Sequence, residues 1–418
     1  MTLDGHIQRQ VNDLHALLET TRAMVATTDL EDLLDLITSQ ASRMLDADRC
    51  SIFLYEPETE TLRSKVAQGV EEIRFPVTKG IAGAVARSGR PLNIPEAYED
   101  PRFNREIDER TGYCTRNLLA LPLVGYDGEL VGVLQVLNKR SGQFSGYDES
   151  IAGALTAQAG VVLQRARLHE HYKQKMRIEQ AIEIARQIQA DLLPSKNPDL
   201  PGFEIVGWHC PHDKIAGDCY DFFDLGNQRL AIGLGDATGH GIGPALVSAE
   251  ARATLRGLAS VSDDLSLIIN LANRLLAEDL SAERFVTMFF GLLDASSSRL
   301  HYSSAGQAPI LFYEANRSSV QQLEATGMPL GMMSEIVIPV ADPIEFKPGD
   351  ILALLTDGFF EWEREDGEQF GAERVCHAIC QHGHESVGKV LGAILAALFA
   401  FADTPQADDL TVVLVKKT

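Results

Sequence analysis

The chain has 418 residues, 45% of them hydrophobic, so it can bury more than one core; at roughly 100–200 residues per domain, two or three domains are expected. Its 59 acidic against 37 basic side chains give a net charge of −22, which argues against a nucleic-acid backbone or an anionic membrane as partner. The longest apolar run, "VLGAILAALFAFA" (Val390–Ala402), is too short to span a bilayer, and "MTLDGHIQRQ" does not read as a secretory signal. Six cysteines without a CxxC pair read as reduced thiols of a cytoplasmic protein.

Residues 1–29 are polar, with apolar positions at Ile7, Val11, Leu14 and Leu18. That 4-3-4 spacing predicts a helical stripe of the kind that dimerises in a coiled coil. Residues 30–165 alternate helix and strand with many turns and form the first predicted domain. Near its end stands "NKRSGQFSGYDE" (Asn138–Glu149), in which Lys139 and Asp148 are placed to pair across a strand-to-helix loop while Phe144 plugs it. From about Tyr147 to Leu193 there is no proline, and after Gly160 no glycine, which predicts a helix of more than about thirty residues. Leu168, Tyr172, Ile178, Ile182, Ala185 and Leu192 lie in it amid charges, so 166–200 is read as a helical coiled-coil linker that also joins two copies. "LLPSKNPDLPG" (Leu192–Gly202) ends it with three prolines. The last part, 201–417, is strand-rich at both ends, with helices expected over Pro244–Leu258, Asp264–Asp279 and Ser386–Ala402.

Acids stand at strand ends throughout this last part. "LAIGLGDATGHGIGPAL" (Leu230–Leu246) hangs Asp236 at the end of an apolar run, before a turn containing Gly239, Gly241 and Gly243. Glycine lets that turn approach something closely, and Pro244 suits the first helical turn that follows. "AGDCYD" supplies Asp218 and Asp221, "ILALLTDGFFEW" supplies Asp357, and "ADDLTVVLVK" supplies Asp408 and Asp409. Carboxylates converging on one sheet edge repel one another, so a positive charge is expected among them. With oxygen donors and no His/Cys cluster, the hard cations Mg²⁺ or Mn²⁺ fit.

These motifs, in this order, resemble the metal-dependent PPM-type protein serine/threonine phosphatases, in particular the bacterial SpoIIE branch of partner-switching pathways. The resemblance implies a β-sandwich flanked by helices with two Mn²⁺ or Mg²⁺ at one end. Asp236 would bridge both ions, the carbonyl of Ala237 would bind one, and Asp357, Asp408 and Asp218 would complete the shells as catalytic residues. Asp409 is the alternative to Asp408. The ions would activate a water for in-line attack on a phosphoserine or phosphothreonine. The absence of a Cys-x5-Arg loop agrees with a reaction that needs no protein nucleophile. His240 is read as a turn residue. Departures are Ala216 where the family often has glycine and Gln307 where it usually has histidine.

The Asn138–Glu149 stretch resembles the NKFDE motif of cyclic-nucleotide-type GAF domains. "GIAGAVARSGRPLNIPEAYEDPRFN" (Gly80–Asn104) and "GYCTRNLLALPL" (Gly112–Leu123) agree. Matching positions imply Ser51, Ala82 and Thr115, with Lys139 and Asp148, at the pocket for cyclic AMP or cyclic GMP. Gln135 stands where some nucleotide-binding members carry glutamate. Another small ligand, or a purely dimerising module, remains the alternative. The expectation is an α+β, multidomain cytoplasmic homodimer: a GAF sensor governing a phosphatase whose substrate is a phosphorylated anti-sigma-factor antagonist of STAS type. A linker packed on the helix after Asp236 would couple the two. The competing class is a catalytically silent GAF-dimer scaffold.

Overall fold

The computed structural model describes residues 3–64, 73–281 and 283–418. The chain divides into two compact units, one up to Arg177 and one from Ile178 onward.

The first unit opens with α1 (Leu3–Ala26) and α2 (Leu30–Met44). Asp29 caps α2, its Oδ1 accepting the N–H of Glu31 at 2.8 Å and of Asp32 at 3.2 Å. There follow β1 (Ala47–Glu56), β2 (Thr61–Ser64), β3 (Ile73–Pro76), α3 (Gly80–Ser88), β4 (Leu92–Ile94), α4 (Arg105–Thr111), β5 (Leu118–Val124) and β6 (Leu130–Lys139). The strands make one antiparallel sheet in the order β3-β2-β1-β6-β5-β4. Strand alternation splits β5 between two cores. Leu119, Leu121 and Leu123 pack with α2 residues such as Leu33 and Ile37, while Leu118 and Ala120 pack with Ile81 and Val85 of α3.

The next helix, α5 (Gly146–Leu192), runs unbroken for 47 residues. All of its buried residues fall between Asp148 and Ala166. Leu168, Tyr172, Ile178, Ile184 and Ile188 are exposed, as are Ile7, Val11, Leu14 and Leu18 of α1. The helix stops two residues before Pro194, whose ring disfavours helical geometry in the residue ahead of it.

The second unit holds β7 (Phe203–Cys210), β8 (Asp218–Gly226), β9 (Arg229–Ala237), α6 (Ile242–Ala259), α7 (Leu265–Asp279), β10 (Val286–Asp294), β11 (Arg299–Ala305), β12 (Ile310–Glu314), β13 (Ser319–Leu323), β14 (Ile344–Glu345), β15 (Ile351–Leu355), α8 (Gly358–Glu361), α9 (Gly371–His382), α10 (Val387–Phe401) and β16 (Leu410–Lys417). Two five-stranded antiparallel sheets result, β14-β11-β10-β9-β8 and β13-β12-β15-β16-β7. Their inner faces share a core that includes Phe222, Ile232, Phe289, Leu354 and Val413. The helices α6 and α7 cover the outer face of the first sheet, and α8 to α10 cover that of the second. This is the expected α+β arrangement, a β-sandwich flanked by helices. Two helices were not foreseen: the single turn α8 directly after Asp357, and α9.

Candidate active site

Antiparallel pairing brings the first two acids together. Asp218 begins β8 and Asp236 nearly ends β9, and the register sets them directly opposite each other. Cross-strand neighbours share a face, so two carboxylates meet where like charges destabilise a sheet. The second sheet contributes at the same end. Its strands β15 and β16 pair Leu355 with Val412, and beyond that pair lie Thr356–Asp357 on one chain segment and Asp408–Asp409–Leu410–Thr411 on the other.

Hydrogen bonds tie the two sheets through Asp218. Its Oδ2 accepts from Thr356 Oγ1 at 2.8 Å and from Thr411 Oγ1 at 2.5 Å, and its carboxylate is buried. His209 Nδ1 lies 2.8 Å from the same Thr411 hydroxyl, and burial holds its imidazole below the usual range. A second tie is Gln307, which is buried. Its Nε2 donates to the carbonyl of Leu355 at 2.9 Å, and its Oε1 accepts from Thr287 Oγ1 at 2.9 Å; Thr287 pairs with Asp236 across β10. The side chain at the family's usual histidine position is therefore a strut behind the acids.

Burial pushes the Asp218 carboxyl well above the usual aspartate range; the charge of Asp236 adds to this and the two threonine hydroxyls oppose it. Asp236 is pushed up to about 8, first by burial and then by the charges of Asp357 and Asp408. Asp357 is raised by burial, then by Asp408 and Glu361. The four acids read from the sequence thus share one electrostatic site. The doublet divides by its contacts. Asp409 spends its carboxylate on backbone, accepting the N–H of His212 at 2.7 Å, of Gly217 at 2.6 Å and of Asp218 at 3.4 Å. The charges of both members act on Asp236, but only that of Asp408 is felt at Asp357, and among the described residues no backbone N–H outside its own turn occupies the Asp408 carboxylate.

The site suits hard cations. Its donors are oxygens, and the charges that raise these carboxyls belong to other carboxylates. Gly217 leaves open a cradle that a Cβ would fill: it would stand 3.0 Å from the Ala237 carbonyl oxygen and 3.4 Å from Asp236 Oδ1. Gly239 and Gly241 both take φ of +91°, a left-handed conformation that shapes the turn after Asp236. Among the described residues no three His, Cys, Asp or Glu side chains close to metal-ligand spacing, so the acids face a shared space rather than a finished cage.

Two acids collected from the sequence do not belong to this set. Asp221 lies three residues from Asp218, so strand alternation turns it to the opposite face. There its Oδ2 lies 3.2 Å from Arg252 Nε and 3.1 Å from Arg256 Nη1 of α6. Asp409 is the backbone anchor just described. His240 is exposed and its Nδ1 lies 3.3 Å from Asp213 Oδ2, which fits a turn role.

In the first unit a pocket open to solvent is lined by Ser51, Ala82 and Thr115, as read from the sequence. Arg49, Lys79, Asp108 and Gln135 also line it, with Phe53, Phe75 and Phe103 as apolar walls. Asp108 is committed: its carboxylate accepts the Thr115 N–H at 2.7 Å, the Thr115 hydroxyl at 2.9 Å and the Tyr98 hydroxyl at 3.1 Å. Lys139 and Asp148, expected at the pocket, are not among its lining. They pair with each other at 2.8 Å, and Lys139 Nζ also donates to the Leu45 carbonyl at 3.0 Å. Burial raises the Asp148 carboxyl, but the bonds from Lys139 and Ser145 outweigh it and hold the group below the usual range. The motif locks the start of α5.

A helix-flanked β-sandwich with acids from both sheets at one end, preceded in the chain by a pocketed antiparallel sheet, has the architecture of the PP2C-type phosphatase fold. Residues 226–418 match the family model described as Stage II sporulation protein E (SpoIIE), and residues 29–163 match the GAF domain. The chain joins a GAF domain to a SpoIIE-type protein serine/threonine phosphatase domain. The sandwich itself extends upstream of the match, through β8 and β7. The SiaA-PP2C domain of Pseudomonas aeruginosa shares the fold, with a TM-score of 0.50 and 23% identity over 58% of this chain and 98% of that one. A probable 3',5'-cyclic phosphodiesterase, pde-5 of Caenorhabditis elegans, is 35% identical over 164 residues, 36% of this chain and 22% of the relative. The dual 3',5'-cyclic-AMP and -GMP phosphodiesterase 11 of Drosophila melanogaster is 33% identical over 200 residues, 43% and 14% of the two chains. The chain thus spans less than a quarter of the length of these curated relatives. No helix among the described residues is long and apolar enough to cross a membrane.

Proposed function

We propose that this protein is a signal-regulated cytoplasmic phosphatase that hydrolyses phosphoserine or phosphothreonine on a regulatory protein. The observation that carries the reading is the meeting of Asp218 and Asp236 with Asp357 and Asp408, two acids from each sheet, around oxygen donors alone. Asp218, Asp236, Asp357, Asp408 and the Ala237 carbonyl would hold two Mn²⁺ or Mg²⁺. Such ions supply Lewis-acid activation of the phosphate and of water. The chain's own part is positioning: Thr356 and Thr411 aim the Asp218 carboxylate, Asp409 fixes the backbone that carries it, and Gln307 braces the strand opposite Asp236. The partner-switching resemblance makes a phosphorylated anti-sigma-factor antagonist of STAS type the substrate to try.

The GAF pocket would take a cyclic nucleotide. Arg49 and Lys79 offer positive charge for a phosphate, Ser51, Thr115 and Gln135 offer hydrogen bonds, and two relatives are named for cyclic nucleotides. The exposed apolar stripes of α1 and α5 support a homodimer.

The test is phosphate release from a phospho-STAS protein by the purified chain. Activity should require Mn²⁺ or Mg²⁺, stop with EDTA and change on adding cyclic AMP or cyclic GMP. Binding of the phosphoprotein without hydrolysis at any metal concentration would favour the silent scaffold instead.

A further inference from the structure

The last turn of α5 is bonded to the segment that leads into Asp218. Gln189 Nε2 donates to the carbonyl of Ala216 at 2.7 Å, and the Ala216 N–H donates to Gln189 Oε1 at 2.9 Å. A side-chain amide that engages both main-chain groups of one residue is a two-point clamp. It fixes rotation as well as distance, as a strand pair does. Ala216 is fully buried.

The next two residues have no slack either. The Gly217 N–H donates to Asp409 Oδ2, and its carbonyl accepts from the Ser248 hydroxyl of α6 and from the Ala237 N–H. The Asp218 N–H faces the same Asp409 oxygen, and its carboxylate is held by Thr356 and Thr411. The run Ala216–Gly217–Asp218 is therefore bonded at every step from α5 to the acid that opposes Asp236. A displaced helix end must either break the clamp or move Asp218.

We propose that Gln189 is a positioning residue for Asp218: its amide fixes Ala216 and thereby sets how well the acid cluster binds its metal ions. The inference rests on the phosphatase reading and deepens it, because it names the contact through which α5 acts on the site. Coupling enters at Ala216, ahead of Asp218.

The test uses the full chain. Gln189→Met keeps the volume and removes both hydrogen bonds. Gln189→Glu keeps the acceptor for the Ala216 N–H and loses the donor. Gln187→Met is the control, since Gln187 is exposed and its amide donates to Glu183 of its own helix. Mn²⁺ binding is measured by calorimetry without substrate, alongside kcat and KM at saturating Mn²⁺ and the thermal midpoint in EDTA. Two lost hydrogen bonds predict about tenfold weaker Mn²⁺ binding for Gln189→Met, a smaller loss for Gln189→Glu, parent values for Gln187→Met and kcat within about twofold of the parent once metal saturates. Gln189→Met with the parent's Mn²⁺ affinity overturns the proposal, even if its thermal midpoint falls, because Gln189 would then be only a structural contact. If the parent hydrolyses nothing yet binds Mn²⁺, and Gln189→Met weakens that binding, the proposal stands and the phosphatase reading falls. A parent that binds no Mn²⁺ overturns both.

Discussion

Asp236 faces a carboxylate across its own strand pair and feels three more, Asp357, Asp408 and Asp409, from the other sheet, so its charge is costly to hold. The consequence for pH has a definite sign. Its folded-state value is raised to about 8, above the unfolded value, so its contribution to stability is present at low pH and is lost as pH rises from about 4 through 8. Metal binding releases the proton and reverses the penalty. In EDTA the thermal midpoint of the second unit should fall by several degrees between pH 5.5 and 8.5, and the gain from Mn²⁺ should grow over the same range. Calorimetry across that range checks both, and Asp236→Asn should flatten the EDTA curve. The same substitution should lower kcat/KM by at least about 100-fold, several kcal/mol of transition-state stabilisation, as read by phosphate release. Thr411→Val removes a donor from buried Asp218 and disconnects His209; about 1–3 kcal/mol of stability should be lost, seen as a lower urea midpoint at unchanged slope.

The turns and helices that carry these residues differ in how readily a chain discloses them. The strand ending at Asp236 was legible because an apolar run, a carboxylate and a glycine turn stand in sequence, and α6 followed from Pro244. Asp357 and Asp408 were legible for the same reason, each beside a hydrophobic strand. Asp221 was miscast because its grouping with Asp218 ignored the period of two that sends it to the opposite face. The helix α9, "GAERVCHAICQH", buries only Val375, Ala378 and Ile379, too thin a stripe between polar residues to stand out. The Lys139–Asp148 pair was foreseen as a pair, and its absence from the pocket follows from that: a buried ion pair that satisfies itself has little left for a ligand. Lys139→Met should therefore leave the pocket's affinity nearly unchanged while stranding the Asp148 charge. The cost is about 3 kcal/mol, visible as a lower melting temperature beside an unchanged binding isotherm. At the other site, Gly358→Ala would set a Cβ 2.1 Å from the Asp409 carbonyl oxygen. The turn bearing Asp357 must then move away from Asp408, and activity should fall with little change in far-UV circular dichroism.

Across the whole molecule the order of the strands was not readable, because partners such as β7 and β16, or β10 and β9, are far apart in the chain and pair only after folding. The threonines and Gln307 that brace the acids were hidden for the same reason: their partners lie on the other sheet. What the sequence does carry at this scale is the 4-3-4 stripe of α1, whose Ile7, Val11, Leu14 and Leu18 are all exposed. In the proposed homodimer a second copy covers this seam, so Leu14→Glu should leave the chain monomeric. Sedimentation equilibrium reads this directly.

The acid cluster draws two members from each sheet, and four struts behind it run between the sheets: Thr356 and Thr411 to Asp218, Asp409 to Gly217, Gln307 from Leu355 to Thr287. The site thus pins the two sheets together, and the proposed ions would rivet the open end of the sandwich. Slow amide exchange should report it: the protons on Gly217, Asp218 and Thr411 should be lost together in EDTA and retained together with Mn²⁺, while those at the distal ends of β8 and β16 exchange at the same rate in both.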